Sequence, residues 1–156
     1  MATSKRAAPR RPDADDEMRQ VLAEIRYLEG SARVLQSRLD IVAAALSETG
    51  TAIQTLEGAR GRAEGTEALI PIGSGSFVKS RISDPGNIMI GVGAGVIVEK
   101  SLEDSIKDLR LRSSVLERAR TSVTQQLGQI IGQTEDYRAH LSELVRKKGG
   151  GSLEIV

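Results

Sequence analysis

Two glycine clusters, one histidine and a scatter of serines are the residues of this sequence whose types and spacing could carry chemistry. Gly73-Ser74-Gly75 and Gly91-Val92-Gly93-Ala94-Gly95 have the composition of loops whose backbone N–H groups cradle phosphate. Their spacing excludes that use: neither fits GxGxxG or GxxxxGK(S/T), and both lie between two strand-like runs instead of between a strand and a helix. They read as turns. His140 is the only histidine and cysteine is absent, so a metal centre would need several carboxylates around one imidazole. The same lone histidine leaves the serines without a base and an orienting acid. No catalytic, cofactor-binding or metal-ligating set emerges, and a non-enzymatic role is expected.

The elements that carry these residues are unusual in composition. Phe77, Tyr27 and Tyr137 are the only aromatics among 156 residues, and tryptophan is absent, so an extended fold is expected over one with a large bulky core. A net charge of +1 gives no overall field that would select nucleic acid. Absence of cysteine removes disulfides and thiolate chemistry and fits a cytoplasmic location. The longest apolar stretch, Ile88 to Val98, falls well short of the roughly 20 residues a membrane helix needs, so no transmembrane segment is read. Lys5, Arg6, Arg10 and Arg11 sit in a segment 1–12 without an apolar core, read as a disordered basic tail.

Two long runs have apolar residues at alternating steps of three and four. The first is Met18, Val21, Ile25, Leu28, Ala32, Leu35, Leu39, Val42, Leu46, Thr49, Ile53, Leu56; only Thr49 breaks it. The second is Leu102, Ile106, Leu109, Ser113, Leu116, Arg120, Val123, Leu127, Ile130, Thr134, Tyr137, Leu141, Leu144, interrupted at Ser113, Arg120 and Thr134. A mean spacing of 3.5 keeps one narrow seam facing a partner helix, the coiled-coil requirement. The first helix is expected over 13–62, about 45 residues of regular helix or roughly 70 Å, with Asp15, Asp16 and Glu17 at the positive end of its dipole. The second is expected over 101–148, opened by Ser101 and Asp104 as a capping box and closed by Arg146, Lys147, Lys148 and the glycines from Gly149. Equal lengths joined by a short insert favour an antiparallel pair over a parallel homodimer, because each seam finds its partner at small loop cost.

The insert 67–100 breaks the helical period. Glu67–Ile72, Ser76–Ile82, Ile88–Val92 and Val96–Lys100 are β-branched runs divided by turn residues, which predicts two β-hairpins. Two hairpins alone bury too little to be stable, and Ile88, Ile90, Val92, Val96 and Val98 would form a flat apolar strand surface. Other subunits are the expected cover. The class is therefore mainly α: a long antiparallel coiled-coil hairpin with two central β-hairpins that form part of an oligomeric β-barrel, followed by a flexible tail over 149–156.

Ile70-Pro71-Ile72-Gly73-Ser74-Gly75-Ser76-Phe77-Val78 followed by Ile88 to Lys100 resembles the double-hairpin signature of the prefoldin family's alpha class, and the flanking helices agree in length and position. The resemblance implies a hexamer of two alpha and four beta chains with a double β-barrel body and six coiled-coil arms. Phe77, Val78, Ile88, Ile90, Val92, Val96 and Val98 would then serve subunit assembly. It further implies an ATP-independent holdase that captures unfolded clients at the arm tips and delivers them to a group II chaperonin, without cofactor. An antiparallel register brings Met18, Val21, Leu22 and Ile25 to Tyr137, Leu141, Leu144 and Val145, the expected client-binding set. The alternative is a coiled-coil scaffold or tether for one folded partner. A nucleic-acid-binding arm would need a basic stripe; Arg110, Arg112, Arg118 and Arg120 are interleaved with Glu103, Asp104, Asp108 and Glu117, so no nucleic acid is expected.

Overall fold

In a computed structural model, which describes residues 14–149, the seam residues do form two long helices, α1 (Ala14–Ala59) and α2 (Leu102–Gly149). Between them lie four strands: β1 (Glu67–Gly73), β2 (Ser76–Arg81), β3 (Asn87–Gly93) and β4 (Val96–Ser101). The expected tails 1–12 and 150–156 lie outside the described residues, while Gly149 itself is the last residue of α2. The chain divides into two units: residues 40–121, holding the hairpins and the adjoining helix ends, and the remainder, of which 14–39 and 122–149 are described.

In the hairpin-bearing unit, β1 pairs with β2 and β3 with β4, both antiparallel, and no strand bridges the two sheets. The hairpins repeat one design at an offset of twenty residues. Ser74-Gly75 and Ala94-Gly95 form two-residue loops with every φ positive, between +49° and +77°. Positive φ at both positions matches the right-handed twist of the flanking strands. Each hairpin also carries a register shift just before its turn, between Pro71 and Gly73 and between Gly91 and Gly93. The glycine clusters are thus turn glycines.

The two hairpins differ in what covers them. On hairpin β3–β4, Ile90 is buried and its cross-strand partner Val98 half-buried, while Met89 and Ile97 on the other face are exposed. The equivalent pair on β1–β2, Ile70 and Val78, is exposed at 51% and 47%. One hairpin therefore has a face against the chain's own helices and the other has neither. Lys100 anchors the covered hairpin to α2 by an ion pair with Asp108 at 2.5 Å, and Arg112 donates to the Gly91 carbonyl at 2.8 Å.

Helix pairing in this unit is antiparallel. Arg60 makes a two-pronged contact with Glu103, at 2.8 and 2.9 Å, and Arg110 reaches Glu57 at 2.6 Å. The core is Leu102, Ile106, Leu109 and Ile90, with Ile106 only 1% exposed. In the other unit Val21, Ile25, Leu28 and Leu35 are buried, and Arg138 to Glu29 at 2.8 Å, His140 to Glu17 at 3.2 Å and Lys148 to Asp15 set the same antiparallel sense. Every seam residue of α1 is buried or half-buried, as is every one of α2 except Arg120 and Tyr137. Arg120 turns outward to Glu117 at 2.8 Å, keeping its charge in water. The polar seam residues Thr49 and Thr134 satisfy their hydroxyls by donating to the carbonyls of Ala45 and Ile130, each at 2.7 Å.

Candidate client and assembly surfaces

The helix that enters from β4 starts where Ser101 was expected to cap it, with a variation in the bonding. The Asp104 N–H donates to Ser101 Oγ at 3.1 Å, and the Ser101 hydroxyl donates to the Asp104 carboxylate at 2.8 Å. A capping box would instead turn that carboxylate to the Ser101 N–H. The helix continues the hairpin ladder directly, since the Leu102 N–H donates to the Gly86 carbonyl at 2.8 Å. The preceding turn is held by Asp84, which accepts from the Gly86 N–H at 2.9 Å and from the Asn87 side chain at 2.9 Å.

These bonds depress carboxyl pKa values. Asp84 is lowered by the Asn87 amide and the Gly86 N–H, Asp104 by the Ser101 hydroxyl and Lys107, and Asp15 by Lys148. A folded-state pKa below the unfolded value means the stabilisation is present above the ordinary carboxylate range and lost as pH falls through the lower folded value. Helicity should hold from neutral pH to about pH 5 and decline below about pH 4. Circular dichroism of the Asp84→Asn, Asp104→Asn double variant should show a shallower acid decline; an unchanged decline would exclude these two groups as its source.

The expected assembly residues separate into two sets. Phe77, Val78, Val92 and Val96 are exposed at 58%, 47%, 50% and 52%, open for a neighbouring subunit. Ile90 departs from the expectation: at 7% exposure its side chain is already covered by the chain's own helices, and Ile88 and Val98 on the same face are half-buried. The reason is strand alternation, which directs these three toward α1 and α2. Leu69, Ile70, Ile72, Met89 and Ile97 are more exposed than Ile88, Ile90 and Val98, yet the sequence did not assign them to subunit assembly. Strand runs apolar on both faces carry no period-2 signal that would have found them.

The client set also divides. Val21 and Ile25 are 5% and 7% exposed and therefore belong to the seam, where packing against α2 removes them from solvent. Met18, Leu141 and Leu144 are half-buried, and Leu22, Tyr137 and Val145 stand out at 39%, 36% and 56%. Exposed apolar positions that seam counting does not reach include Leu111, Val115 and Ile131 on α2 and, one heptad apart on the outer face of α1, Tyr27, Val34 and Ile41 at 70%, 55% and 67%. The seven-residue spacing of the α1 set is the signal that could have found it. Among the described residues no group of three or more histidine, cysteine or acidic side chains could hold a metal, and no helix is long and apolar enough to cross a membrane.

A family model described as "Prefoldin subunit" matches residues 16–147. Prefoldin subunit alpha of Pyrococcus horikoshii is 30% identical over 140 residues, covering 89% of this chain and 95% of that one. The alpha subunit of Methanoregula boonei is 30% identical over 121 residues, 78% of each chain. Among solved structures, filamentous PFD from Methanocaldococcus jannaschii superposes with a TM-score of 0.64 at 19% identity, over 76% of this chain and 98% of that one, a likeness of fold.

Proposed function

Because the chain belongs to the prefoldin family, in its alpha class, we propose that it is the alpha subunit of an ATP-independent holdase that captures unfolded proteins and delivers them to a group II chaperonin. Prefoldins are chaperone subunits, not enzymes. In this reading two copies join four beta chains through the hairpins, and the complex works in the cytoplasm.

The observation that carries the capture step is the exposed apolar surface at the paired ends of α1 and α2. Leu22 and Val145 lie just off the seam, so neither is consumed in holding the helices together. Exposed apolar side chains of this kind offer a non-directional surface that suits many unfolded chains and does not select one sequence. Met18 beside them has the flexibility to adapt.

The test is suppression of aggregation of a denatured protein by the assembled complex. Leu22→Ser with Val145→Ser should leave helicity and complex mass unchanged and raise the amount needed for half-suppression about tenfold, as expected when an interface loses its few energetic centres. Removing residues before 26 together with those after 135 should abolish suppression. Full activity in that truncated, still assembled variant would place client capture elsewhere.

A further inference from the structure

The outer face of α1 carries a feature that client capture and hairpin assembly do not use. Tyr27, Gly30, Ser31 and Val34 stand at i, i+3, i+4 and i+7 on one helix. That diamond is the hole of knobs-into-holes packing, the arrangement that receives one side chain from a facing helix. Here it is empty. Tyr27 and Val34 form opposite walls at 70% and 55% exposure, with the buried seam residue Leu35 at the edge, around a depression of about 470 Å³.

Gly30 is its floor, and nothing inside the chain asks for a glycine there. A Cβ at this position would meet only the Arg33 guanidinium, at 3.9 Å, and the residue sits in regular helix. A glycine inside a helix costs about 1 kcal/mol relative to alanine. The space it leaves faces outward, between two large exposed side chains. Ser31 already donates its hydroxyl to the Tyr27 carbonyl at 3.1 Å, so the hole needs no polar partner.

The rim specifies charge. Arg26 and Arg38 line the depression, and neither forms an ion pair with a described residue. In coiled coils the residues flanking the knob positions select partners by opposite charge. We propose that this face of α1 docks an acidic amphipathic helix of a folded partner protein, seating an apolar knob over Gly30 with carboxylates against Arg26 and Arg38. The site gives the chain a folded helical partner on its arm, separate from the unfolded clients at the arm ends and the beta chains at the hairpins.

The probe is a fluorescein-labelled peptide of about three heptads, with leucine at the seam positions and glutamate at the flanking ones. Its anisotropy is titrated with the full chain in its assembled complex. Binding that weakens with salt, that falls about tenfold in Gly30→Leu and in Arg26→Glu with Arg38→Glu, and that moves to a lysine-flanked peptide in the latter variant is expected. Gly30→Leu has room for its side chain and should keep the helix, which circular dichroism checks. Equal binding of the glutamate peptide to wild type and both variants would overturn the proposal. So would tighter binding of a single-stranded RNA oligonucleotide at the same arginines, or self-association of the complex abolished by Gly30→Leu. The Leu22→Ser, Val145→Ser variant should bind this peptide normally, which separates failure of this site from failure of client capture.

Discussion

Lysine at both Phe77 and Val96 is expected to split the assembled complex into free subunits while leaving each chain as helical as before. Both side chains are more than half exposed in the single chain, so an ammonium there stays in water until the subunits meet. Covering it without a counter-charge costs several kcal/mol per site, which exceeds what a few lost apolar contacts would. Light scattering should report subunit mass and circular dichroism an unchanged spectrum. An intact complex with both lysines would remove these strands from the subunit interface. Ile90→Lys is a different experiment: at 7% exposure Ile90 packs against its own helices, so that variant should lose stability before assembly is tested.

The second large effect comes as a pair of opposite sign at neighbouring positions of α2. Ile106 is 1% exposed, and trimming it to alanine leaves a cavity in the hairpin-bearing unit, an expected loss of about 2–5 kcal/mol. Ser105 is fully buried, and its hydroxyl has no partner. An orphaned buried hydroxyl carries a desolvation penalty of about 1–3 kcal/mol, so Ser105→Ala should stabilise by about 1 kcal/mol. Urea midpoints of the two variants should move in opposite directions. A lower midpoint for Ser105→Ala would show that the hydroxyl is bonded in solution. Thr49 and Thr134 are the contrast, because their buried hydroxyls donate within the helix and replacement by alanine brings no such gain.

The seam was legible in the amino-acid order alone. A repeat of 3.5 residues admits one face only, and from Met18 to Leu56 and from Leu102 to Leu144 that face is buried or half-buried apart from Arg120 and Tyr137. Hairpin positions followed as directly, since Ser74-Gly75 and Ala94-Gly95 supply the positive φ that a two-residue turn requires. The antiparallel sense of the helices followed from their equal length and the short insert.

Only the tertiary structure decided what each apolar residue outside the seam does. Ile90 and Ile70 occupy equivalent places in two similar hairpins, yet one is 7% and the other 51% exposed, because α1 and α2 cover one hairpin face and no face of the other. Nothing local distinguishes them. Val21 and Leu22 are adjacent apolar residues near the start of α1, and the 100° turn between them places the first in the seam and the second in solvent. Tyr27 and Val34 share a face with Gly30 by spacing, but that the hole they form is empty depends on where α2 packs, against the seam that includes Leu35 at the edge of the depression. Periodicity states which residues face together. What stands opposite them is a property of the folded chain, since burial is decided by elements distant in sequence.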